Sequence, residues 1–168
     1  GLMDRDPETA AAALSMAARL TLPESAIDWN RWTEKWLEME DLYLVLDRLP
    51  VRTLKIFLAV LMERGGTSAW EAASIWLVSG GYAVTSELIR MYQDAGREEA
   101  LKSVVRKGIG LEKPGVSLLL WLLRNPDALE SWALMSPADF AFLILYELEQ
   151  ERSGTGLKAQ NEIRTRFA

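Results

Sequence analysis

Apolar residues recur along this chain in short blocks at helical spacing, and glycine, proline or a capping residue closes almost every block. The first opens with Asp6-Pro7-Glu8: a capping carboxylate, a proline whose missing N–H costs nothing at a first helical position, and an acid at the positive end of the dipole. The alanine-rich run to Leu20 continues this helix, and Leu22-Pro23 breaks it. From Asp28 onward Trp29, Trp32, Trp36, Met39, Tyr43 and Leu46 step by three and four, which predicts one long amphipathic helix stopped by Pro50. Shorter helices follow. One runs over 50–64 and ends at Gly65-Gly66; the next is capped by Ser68 with Glu71 completing a capping box, and runs to Gly80-Gly81. Helices over 84–95, 97–107 and 116–124 end at Gly96, Gly108 and Asn125-Pro126. A helix over 127–135 comes next, and Ser136-Pro137-Ala138-Asp139, a second capping box, opens the last one, which reaches about Glu151.

No stretch alternates with period two long enough to read as a strand, so the pattern predicts an all-α fold of seven to eight short antiparallel helices. Two arrangements fit it: α-α repeat stacking of solenoid type, or a globular helical bundle. The turns inside candidate pairs fall at Gly66, Gly96 and Asn125, 30 and 29 residues apart, and this recurrence favours stacking. Residues 84–109 carry the best unit: Leu88, Ile89 and Tyr92 on the first helix, Ala95-Gly96 at the turn, and Glu99-Ala100-Leu101 opening the second. This unit resembles a tetratricopeptide or, more closely, a pentatricopeptide repeat. The resemblance implies stacked helix pairs that bind protein or, in the second family, single-stranded RNA read one base per repeat. At 168 residues the chain is sized for one domain, expected over 1–152, with the polar segment 153–168 as a tail or loosely docked helix.

Composition narrows the chemistry more than it specifies it. The chain has no histidine and no cysteine, which removes the Ser-His-Asp triad, the cysteine nucleophile and zinc sites of His/Cys type. No cofactor motif is present. The glycines of 108–113 do not make a phosphate loop, lacking both its Gly-x-x-x-x-Gly-Lys-Ser/Thr pattern and a preceding strand. The longest apolar runs, 116–123 and 140–146, are far short of the roughly 20 residues of a membrane-spanning helix. Gly1-Leu2-Met3 has neither the basic nor the apolar region of a secretory signal. The absence of cysteine leans toward a cytoplasmic location.

Net charge is −5, distributed as −5 over 1–48, zero over 49–96, +3 over 97–124 and −3 over 125–168. An acidic chain with one modest basic segment disfavours nucleic acid as a partner and leaves protein as the expected one. Two sets of residues are candidates for partner binding. Trp29, Trp32 and Trp36 could form an aromatic platform, against the competing expectation that they are the buried face of their helix. Arg97, Lys102, Arg106, Lys107 and Lys113 form the basic segment, in which Arg106 and Lys107 also sit where cations offset a helix C-terminus. A weaker alternative, an acidic metal-dependent enzyme, would use Glu34, Glu38 and Asp41 or Glu147 and Glu151, whose spacing can hold Mg²⁺. The reading is therefore a non-enzymatic interaction module without cofactor, binding a protein through a helical groove or concave face.

Overall fold

The computed structural model describes residues 6–20, 27–110, 115–133, 136–150 and Thr165, and among them the chain is helical, without strands. Among the described residues nine α-helical segments follow one another: α1 (Pro7–Arg19), α2 (Trp29–Leu37), α3 (Leu42–Arg48), α4 (Val51–Ser79), α5 (Tyr82–Asp94), α6 (Glu98–Ile109), α7 (Val116–Arg124), the single turn α8 (Pro126–Ala128) and α9 (Pro137–Gln150). A π-helical turn, Leu129–Ala133, follows α8. The fold is all-α, as the pattern predicts. Two compact units divide the chain, Gly1–Leu88 and Ile89–Ala168. The expected tail, 153–168, lies outside the described residues apart from Thr165.

In the first unit α1, α2 and α3 all pack on α4, and α1 also meets α3. Leu14, Trp36, Leu42, Leu46, Leu54, Phe57, Leu58 and Leu61 are buried between these helices. The Asp6 carboxylate caps α1 as the sequence predicts, accepting from Thr9 N–H at 3.1 Å, and Asp28 caps α2, accepting from Arg31 N–H at 3.1 Å, whereas Ser68, expected as a cap, lies inside α4. Ser15 Oγ donates to Ala11 O at 2.8 Å within α1 and lies 3.4 Å from Thr53 O on α4. Across the α4–α5 break, Thr85 Oγ1 donates to Leu77 O and the Asp47 carboxylate of α3 accepts from Gly81 N–H at 2.6 Å.

One helix departs from the sequence pattern. The long helix expected from Asp28 to Pro50 is two, because α2 ends at Leu37 and the chain turns through 38–41 before α3. Glu38, Glu40 and Asp41 sit at that end, where the negative pole of a helix disfavours acids. The break shifts the register: Leu42 and Leu46 are buried, while Tyr43 is half-buried and Met39 lies in the turn. The two helices expected either side of Gly65-Gly66 are present and follow one another directly within α4, across a kink at Gly66, whose φ 54°, ψ −135° lies outside helical geometry. Gly65 has a different task. A Cβ there would stand 2.6 Å from Ala69 Cβ and 3.0 Å from Leu37 Cδ1, so its missing side chain is what lets α2 approach α4.

In the second unit α7 packs on α6, α8 and α9, and the π turn packs on α6 and α8. Leu101, Val105, Leu118, Leu122, Leu129, Trp132, Phe140 and Ile144 are buried there. Trp121 and Trp132 stack at 5.5 Å between ring centroids, 9° from parallel. The capping box read at Ser136 is formed, with Asp139 N–H donating to Ser136 Oγ at 3.2 Å and Ser136 Oγ donating to Asp139 Oδ2 at 2.7 Å.

Candidate interaction surface

The three tryptophans of α2 turn inward. Thr33 Oγ1 donates to Trp29 O at 2.7 Å, and the indoles of Trp29, Trp32 and Trp36 line the face that meets α4. Trp32 and Trp36 meet Phe57 edge-on at 5.5 and 5.1 Å, and Trp29 meets Trp32 edge-on at 5.6 Å. The Arg64 guanidinium lies 5.5 Å from the Trp29 ring. All three tryptophans are buried, Trp36 at 1% exposure, so they give a partner no exposed indole face. Neither the Trp32 nor the Trp36 indole N–H has a hydrogen-bonding partner.

The basic residues are distributed over the second unit and mostly engaged within it. Lys102 bonds to Glu99 at 2.9 Å and lies 4.0 Å from Glu98. That hydrogen bond holds the Lys102 ammonium above its ordinary pKa and the Glu99 carboxyl below its own. Arg106 Nε donates to Trp132 O at 2.8 Å, capping a carbonyl of the π turn. Lys107 and Arg97 are exposed at opposite ends of α6, and Lys113 lies outside the described residues. The four described residues, Arg97, Lys102, Arg106 and Lys107, are therefore not gathered into one free basic face.

The acidic set fares similarly: α2 stops before Glu38, so Asp41 no longer follows Glu34 on one helix face. Among the described residues no group of three or more acidic side chains could hold a metal ion. No single helix described is long and apolar enough to cross a membrane; the one apolar run that suffices by length and composition bends by 90° between Pro126–Trp132 and Pro137–Tyr146.

What the tryptophans do not offer, α9 does. Phe140, Ala141 and Ile144 bury its inner face, while Phe142, Leu143 and Tyr146, one helical turn apart, stand exposed at 76%, 40% and 65%. Asp139 is exposed on the same side, one turn before Leu143. Other large apolar side chains are exposed too, namely Met16, Leu20, Leu44, Val51 and Ile75, but the α9 group alone combines two aromatic rings within one turn. Single exposed apolar residues are ordinary on a protein surface, whereas such clustering is not. A sequence signal for it exists: in 137–146 apolar residues occupy more positions than one buried stripe can use. No protein-family model, curated protein or solved structure matches this chain.

Proposed function

We propose that this protein is a non-enzymatic interaction module that binds a protein partner through the outer face of α9. The observation that carries the reading is the exposed group Phe142, Leu143 and Tyr146 on a helix whose opposite face is packed in the core. Aromatic side chains supply large contact area for little loss of conformational freedom, which is why they dominate the energetics of interfaces. A chain without imidazole or thiol has few routes to nucleophilic or general-base chemistry at neutral pH, which agrees with a binding role.

Photo-crosslinking tests this directly. A benzophenone side chain placed at position 142 or 146 should yield one discrete protein adduct in native lysate, lost on Leu143→Asp, and the same probe at exposed Glu71 should not. Adducts that form equally from both places, or from neither, would refute the reading.

A further inference from the structure

We draw no further inference here: the strongest candidate, the exposed apolar face of α9 at Phe142, Leu143 and Tyr146, already carries the interaction reading above, and nothing in the structure shows what covers it.

Discussion

Helices α2 and α9 both carry aromatic residues at helical spacing, and they use them oppositely. On α2 the rings of Trp32 and Trp36 close on Phe57 of α4 and are lost to solvent. On α9 the inner face is satisfied by Phe140, Ala141 and Ile144, and a second set of large apolar side chains remains outside. The difference lies in supply. α2 has one apolar face and a long neighbour to cover it; α9 has more apolar positions than its neighbour can cover. Exposure of aromatic residues is therefore decided by the surplus over the core's needs and not by their number.

This contrast is broken most sharply at Trp36. Trp36→Ala should cost about 3–5 kcal/mol, because nothing nearby can refill a fully buried indole, and a urea melt would read it as loss of most of the first unit's stability. Trp36→Phe should cost less, since it keeps an aromatic ring and removes an N–H that has no acceptor. Next in size is Gly65→Ala, expected to cost about 1–3 kcal/mol by driving a Cβ against Ala69 and Leu37. Adding Ala69→Gly should recover part of that loss, a coupling measurable in a double-mutant cycle.

Asp47 supplies a smaller, pH-dependent effect. Asp47→Ala should cost about 1 kcal/mol by leaving Gly81 N–H without its acceptor. Burial pushes the Asp47 carboxyl pKa up, more than the Gly81 hydrogen bond pulls it down. The folded state thus holds this proton more tightly than the unfolded chain. Its contribution to stability is complete below the unfolded value and fades as pH rises from about 4 through the folded value. Asp47→Asn should remove that downward slope from the plot of urea midpoint against pH.

Smallest in stability is the α9 stripe itself: Phe142→Ser should leave stability within about 0.5 kcal/mol of the parent while abolishing the crosslinked adduct. A loss comparable with that of Trp36→Ala would make Phe142 a core residue and erase the distinction between the two helices.

Much of the architecture was legible because it rests on local rules. Asp6 and Ser136 announce their helices through short-range capping, and each bond is formed as the spacing requires. The break between α2 and α3 was not legible from the apolar pattern, since three- and four-residue steps persist across it; only the acids at 38, 40 and 41 mark it. Nor was the π turn over Leu129–Ala133, whose Trp132 carbonyl is answered by Arg106 from 26 residues away. The same bond explains why Arg106 reads as a surface cation in the sequence and acts as a cap in the fold. The α9 surface escaped notice for a related reason: periodicity says which residues share a face, while packing decides which faces are covered.

Gly66 carries a last consequence, one of handedness. Its φ of 54° with ψ of −135° is the mirror image of the polyproline conformation that L-residues adopt freely, and no atom lies within 4 Å of where a Cβ would stand. An L-alanine at this point would be strained by its own backbone, whereas a D-alanine introduced by chemical synthesis would find its preferred conformation. The middle of α4 is thus a site where introducing a single D-configured stereocentre would reinforce the fold, by removing the freedom that glycine brings to the unfolded chain.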